Sequence, residues 1–215
     1  MLARERPAGR DHAACLLPMV DELLAAAELR LRNLNAIAFG RGPGAFTGVR
    51  LAASVTQGLA FAAAVPVVPI SDLRALAQRA LQEYPHAARV LACTDARMRE
   101  VYWGCFARGP QDLAAAVGDE HVSAPERVAV PADWYGQAED SAWIALGTGF
   151  VAHPRLRESL APAVFVLDGV LPRAREIAAL AVPEVGAGRV LPAEQALPVY
   201  LRDDVTQTPH RQSLN

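Results

Sequence analysis

The chain has 215 residues, 52% of them hydrophobic, which is enough apolar surface for one large domain or two small ones. A formal net charge of −2 and a pI near 6.2 argue against a dedicated nucleic-acid or anionic-membrane surface. All 21 basic residues are arginine, so any chemistry that needs a lysine is excluded: a Walker-type phosphate lysine, a Schiff base, a kinase strand lysine.

Cys15, Cys93 and Cys105 form no Cys-x-x-Cys pair and read as reduced core residues of a cytoplasmic protein. The arginines of Met1–Arg10 are not followed by the apolar run of a signal peptide. The 21 residues Leu51–Ser71 carry no charge, but Pro66 and Pro69 split them into a helix and a strand rather than a membrane span.

In chain order, His12–Ala27 is helical, with Ala13, Leu16, Leu17, Val20, Leu23, Leu24 and Ala27 on one face. Cys15, Met19 and Ala26 widen that face on one flank. Pro18 implies either a start near Leu17 or a kink. A plain stripe packs on a sheet; a stripe this wide is also a candidate protein interface. Asn35–Phe39 reads as a strand, Thr47–Ala64 as a helix capped by Thr47, and Val65–Ile70 as a second strand. Ser71 caps a helix through Glu83 whose inner face is Leu73, Leu76, Ala77 and Ala80. This order is an α/β pattern with a parallel component to its sheet.

Tyr84-Pro85 ends that helix and suggests two lobes, residues 1–88 and 89–215. In the second, Arg89–Thr94 and Met98–Ala107 form a hairpin turning at Asp95-Ala96-Arg97. Arg108–Val130 is irregular, with a short strand pair expected inside it. A helical turn at Pro131–Tyr135, a strand at Trp143–Gly147 and a helix near Pro154–Leu160 come next. A strand at Val164–Leu167, a helix at Arg173–Val182 and a closing strand at Leu197–Leu201 complete the chain.

The most distinctive stretch is Gly40-Arg41-Gly42-Pro43-Gly44-Ala45-Phe46-Thr47-Gly48-Val49-Arg50, a glycine loop between strand and helix. Such a loop can present backbone N–H groups to an anion, or can simply make a tight turn. It lacks the Lys-Ser/Thr ending of a P-loop and the third glycine of the dinucleotide fingerprint. Arg50, one turn into the helix, suits a phosphate, an acidic residue of a partner, or one of its own chain. Asp95 and Arg97 are a candidate polar site, though an aspartate at a hairpin tip more commonly holds its own turn. The five histidines, His12, His86, His121, His153 and His210, have no metal-binding spacing, and no Gly-x-Ser-x-Gly elbow occurs. No catalytic or metal-ligating residue is assigned.

Gly42-Pro43-Gly44-Ala45-Phe46-Thr47-Gly48-Val49-Arg50 resembles the Gly-Pro-Gly-Ser-Phe-Thr-Gly-x-Arg signature of the bacterial TsaB-type (YeaZ-like) family. Leu16–Leu24, Asp95–Tyr102 and Pro198–Arg202 match further segments of that family in order. The resemblance implies an actin/sugar-kinase-like α/β fold of two lobes with mixed sheets. It also implies a non-catalytic subunit of the complex that forms threonylcarbamoyladenosine in tRNA. That subunit binds and activates a kinase-like catalytic subunit, joined by a small ATPase, and meets tRNA only through the complex. No cofactor is expected on this chain alone; ATP or ADP could lie at the partner interface, and a homodimer could use the same surface. Carried onto this sequence, the interface would be Ala13, Leu16, Leu17, Met19, Val20, Leu23, Leu24, Val49, Ala52, Ala53 and Thr56, beside the glycine loop of Gly42, Pro43, Gly44, Phe46, Thr47, Gly48 and Arg50. The family's opening strand ending in Asp-Thr-Ser is not found, so an incomplete N-terminal lobe and reduced stability are expected. The alternative is an independent nucleotide-binding ATPase or transferase of the same fold.

Overall fold

The computed structural model describes residues 1–6, 11–135, 143–160 and 165–202. His210, and Val164 at the start of an expected strand, lie outside the described residues. The elements, in order, are α1 (His12–Ala26), β1 (Ile37–Gly40), α2 (Phe46–Ala63), β2 (Val67–Ile70) and α3 (Asp72–Glu83). They are followed by β3 (Arg89–Arg97), β4 (Glu100–Arg108), β5 (Ala114–Ser123), β6 (Trp143–Gly147), α4 (Gly149–Ala152), α5 (Arg155–Ser159), β7 (Phe165–Asp168) and α6 (Ala174–Gly186).

Two sheets result. β1 and β2 pair in parallel, Ile37 opposite Val67 and Gly40 opposite Ile70. The larger sheet has the order β5-β4-β3-β6-β7: the first three strands form an antiparallel meander, and β3, β6 and β7 are parallel. α2 covers one face of the small sheet through Ala53 and Ala60, while α6 covers the other through Leu180 and Ala181. α3 packs on α6 and on β3, β4, β5 and β6, so α3 and α6 lie between the sheets. The second face of the large sheet is closed by Trp134, Trp143, Phe150 and Leu156.

Sequence explains much of this. Leu73, Leu76, Ala77 and Ala80 recur at helical spacing and are all fully buried. Each buried leucine contributes about 1.5–3 kcal/mol relative to exposure. Val90-Leu91-Ala92-Cys93 is a continuous apolar run because β3 is covered on both faces. The Ser71 Oγ accepts the Arg74 N–H at 3.2 Å and caps α3 as its sequence predicts.

Several expectations are corrected. β1 and β2 occupy 37–40 and 67–70, shorter or shifted relative to 35–39 and 65–70. α2 starts at Phe46 with Ala45 as N-cap, so Thr47 is inside the helix and caps nothing. α1 starts at His12, which leaves Pro18 in its interior. The hairpin turns at Met98 and Arg99 instead of Asp95–Arg97, with positive φ at residues 97, 98 and 99 and a register shift between Asp95 and Arg97. The stretch after Arg108 holds one ten-residue strand, β5, rather than a short pair. Its sequence, Ala-Ala-Ala-Val-Gly, has little strand propensity; the free edge of β4 imposes the conformation. α6 runs past Val182 to Gly186 and tolerates Pro183 near its end. Leu197–Leu201 forms no strand, and Pro198 has no N–H to give a ladder. The segment is held by single bonds instead, including Val199 N–H to the Arg41 carbonyl at 2.8 Å.

Candidate interaction surface around the glycine loop

The loop joining β1 to α2 folds down onto its own chain. The Arg41 N–H donates to the Ile70 carbonyl at 2.8 Å, and the Gly42 carbonyl accepts the Asp72 N–H at 3.0 Å. Gly42 has φ +92°, a region that favours glycine, and Val49 packs close beneath Gly42 and Gly44. Asp72, the first residue of α3, directs its carboxylate at the loop. A Cβ on Gly40 would overlap Asp72 Oδ1 and lie 3.0 Å from its Cγ, so no side chain fits there.

A polar cluster surrounds that carboxylate. Arg41 lies 3.3 Å from Glu120 on β5, and the Ser71 hydroxyl donates to the same carboxylate. Burial pushes the Asp72 carboxyl up to about 6; the Gly42 backbone hydrogen bond and Arg41 oppose the rise, and Glu120 adds to it. With the Asp72 carboxylate against Gly40 and the Arg41 and Gly42 backbone groups bonded within the chain, this part of the loop is packed on its own chain just before α2 begins. Sequence alone does not single out Asp72 and Glu120. Ser-Asp after a strand reads only as a helix cap, and Glu120 reaches Ser71 from 49 residues away.

A cleft of about 660 Å³ opens beside this cluster, lined in part by Arg41, Ser71, Arg74, Glu120, Glu184 and Arg189. Each of its two glutamates is engaged by arginine, Glu120 by Arg41 and Glu184 by Arg74 and Arg189. Arg189 bonds Glu184 at 2.5 Å, while Arg74 lies 3.9 Å from Glu184 and donates to the Ala114 carbonyl at 2.7 Å.

On the other side of the loop lies the helical surface. α1 has eleven apolar residues among fifteen, yet none of its residues is buried. Ala13 and Leu17 are exposed, and Leu16, Met19, Val20, Leu23 and Leu24 are half-buried. α2 divides differently from the expected interface set. Val49, Ala53 and Thr56 are buried inside the chain on the strip facing the small sheet and residues 193–196, and Ala52 is half-buried. Val49, Ala53 and Thr56 therefore hold α2 in place and are not free for a partner. The outward face of α2 is Thr47, Gly48, Arg50, Ser54, Gly58 and Phe61, with Phe61 79% exposed. Helical periodicity alone cannot say which side of an apolar helix meets its own sheet, so it does not reveal this face.

Phe46 and Arg50 mark its start. The Arg50 guanidinium carbon lies 3.4 Å from the Phe46 ring centroid, and Nε donates to the Tyr200 hydroxyl at 2.7 Å. Of the roles open to Arg50, the observed one is this aromatic clamp; no carboxylate pairs with it among the described residues.

Asp95 and Arg97 sit together at the far end of β3. Asp95 Oδ1 accepts the Arg97 N–H at 2.9 Å, Oδ2 lies 3.1 Å from the Arg97 guanidinium, and His153 Nε2 is 3.9 Å from Oδ1. The carboxylate holds the turn, as a short acidic side chain commonly does. Among the described residues no cluster of three or more His, Cys, Asp or Glu could hold a metal, and no helix is long and apolar enough to cross a membrane.

Residues 6–166 match the family model for TsaD, described as tRNA N6-adenosine threonylcarbamoyltransferase. A relative from Escherichia coli K12, the tRNA threonylcarbamoyladenosine biosynthesis protein TsaB, is 38% identical over 91% of this chain and 83% of its own length. The Haemophilus influenzae protein of the same name is 39% identical over 93% of this chain and 83% of its own.

The chain belongs to the TsaB family.

Solved structures agree with the membership. A Pseudomonas aeruginosa protein described as similar to peptidase YeaZ superposes with a TM-score of 0.80 at 49% identity, covering 89% of this chain and 84% of that one. YeaZ from the same organism gives 0.79 at 48% identity, covering 88% and 85%. The mixed α/β architecture described above, with its two-stranded and five-stranded sheets, is thus that of a TsaB-family protein, in the actin/sugar-kinase-like class of fold.

Proposed function

We propose that this chain takes part in forming threonylcarbamoyladenosine in tRNA as a non-catalytic subunit, binding and activating a kinase-like catalytic subunit. Family membership supports the pathway, since the relatives are named for the biosynthesis of that nucleoside. The observation that carries the subunit role is α1: eleven apolar residues of fifteen and not one buried. An apolar helical face this size, left open, is a surface for another protein. α2 extends it with Ser54 and Gly58, small residues one turn apart that let a partner helix approach closely.

In this reading the catalytic subunit docks on α1 and the outward face of α2, and the glycine loop sets the position of α2. The small ATPase and the tRNA join through that pair, and ATP or ADP binds at or near the joint surface. Without its partner, the same face pairs two copies of this chain. The complex works in the cytoplasm, where its tRNA substrate is found.

Light scattering on a size-exclusion column tests the reading. This chain and the kinase-like subunit, run together with ATP, should give a joint peak that Leu24→Asp abolishes, because a carboxylate would be buried without a partner. Separate peaks from two folded samples would overturn it.

A further inference from the structure

We propose that Phe46, Arg50 and Tyr200 form the recognition rim of this surface, and that Arg50 receives a carboxylate from the catalytic partner protein. The inference rests on the partner reading above and names a contact within it.

Arg50 is the only charged residue of α2; no acid or base follows it through Ala63. Its guanidinium is already oriented. It stacks 3.4 Å from the Phe46 centroid, lies 5.6 Å from the Tyr200 centroid and donates through Nε to the Tyr200 hydroxyl. The terminal nitrogens make no hydrogen bond, and no carboxylate lies within ion-pair distance, among the described residues. A planar fork whose terminal N–H pairs meet no acceptor among the described residues matches a carboxylate in a bidentate pair.

The surroundings favour a protein partner. Phe46 is 53% exposed and Tyr200 47%, so two large rings frame the cation and stay open to contact. Tryptophan, tyrosine and arginine are the residue types that dominate interface energetics when water is excluded around them. The rim continues without another charge into Ser54, Gly58 and Phe61. Nucleic acid is the poorer fit: binding to phosphates builds from several cations, and the next nearest in sequence, Arg41, is paired with Glu120.

The rim also gives the glycine loop a task beyond turning the chain. Val199 N–H bonds the Arg41 carbonyl, which anchors residues 199–200 to the loop and holds Tyr200 beside Arg50. The cation is therefore fixed before the partner arrives, and less side-chain freedom is lost on binding.

Calorimetric titration of the kinase-like subunit tests the proposal, using wild type, Arg50→Glu, Arg50→Gln, Tyr200→Phe and Leu24→Asp at two salt concentrations, with circular dichroism as the fold control. Arg50→Glu should weaken pairing at least tenfold and flatten its salt dependence. Arg50→Gln should lose less, and Tyr200→Phe less again. An acidic-to-arginine change on the partner should restore pairing to Arg50→Glu. If Arg50→Glu pairs like wild type while Leu24→Asp does not, the rim is wrong and the partner reading stands. If the wild type itself does not pair, the partner reading fails. If Arg50→Glu keeps the pair but weakens tRNA binding by the complex, the rim belongs to RNA and the proposal is overturned.

Discussion

The Asp72 carboxylate occupies the space that a side chain at Gly40 would need, with its Cγ 3.0 Å from the position of such a Cβ and Oδ1 closer still. The last residue of β1 and the first of α3 are thus fitted to each other across the glycine loop. Gly40→Ala should destabilise the fold by about 1–3 kcal/mol, the range for overpacking a tight site. The loss should shrink in an Asp72→Ala background, because the two sites share one volume. Urea midpoints of the four proteins measure the coupling.

Asp72 also predicts a pH dependence. Its folded-state carboxyl is raised from 3.8 to about 6, first by burial. The folded state therefore holds this proton more tightly than the unfolded chain does. Ionising Asp72 works against folding, and its contribution to stability falls as pH rises from about 4 through 6. Asp72→Asn removes that burden. The melting temperature of the variant minus that of wild type should rise over this interval and level off above it. A constant difference from pH 4 to 7.5 would show that the carboxyl is not raised.

Glu176 has no exposure, and among the described residues its carboxylate is held by Arg173, Nε to Oε2 at 3.0 Å and Nη2 to Oε1 at 2.7 Å. Arg173→Ala would leave a buried carboxylate without its cation. The expected loss is about 3–5 kcal/mol. The paired change Arg173→Leu with Glu176→Leu should recover much of it, and chemical denaturation distinguishes the two.

The two sides of α2 should respond differently to a charge. Ala60 has no exposure, so Ala60→Asp should leave little folded protein at 25 °C. Phe61, its neighbour, is mostly exposed. Phe61→Asp should shift stability by less than about 0.5 kcal/mol, as surface changes usually do, while weakening assembly with the partner. Circular dichroism melts and size-exclusion profiles of the two variants decide it.

How much of the fold and of the surface is legible in the sequence depends on the range of the physics involved. α3 can be read in full: its cap, its length and its inner face are set by residues within a few positions of one another. The glycine loop can be located, because glycines and Pro43 mark a turn wherever they fall. The occupant of that loop cannot be read, since Asp72 and Glu120 come to it from other strands and helices. The expected Leu197–Leu201 strand fails for a related reason. An apolar run near a proline pairs only if tertiary structure offers an edge, and this segment instead bonds singly to Arg41.

By itself, then, the sequence determined the α/β order, the nearly uncharged α2, the wide apolar stripe of α1 and the family motif, all of which are properties of local spacing and residue type. Only the tertiary structure decided which face of each helix is covered. No residue of α1 is fully buried, α2 turns Val49, Ala53 and Thr56 inward, and Arg50 is left outward on Phe46 and Tyr200. Burial is a property of what packs against an element, and residues 150 positions apart in sequence can decide it.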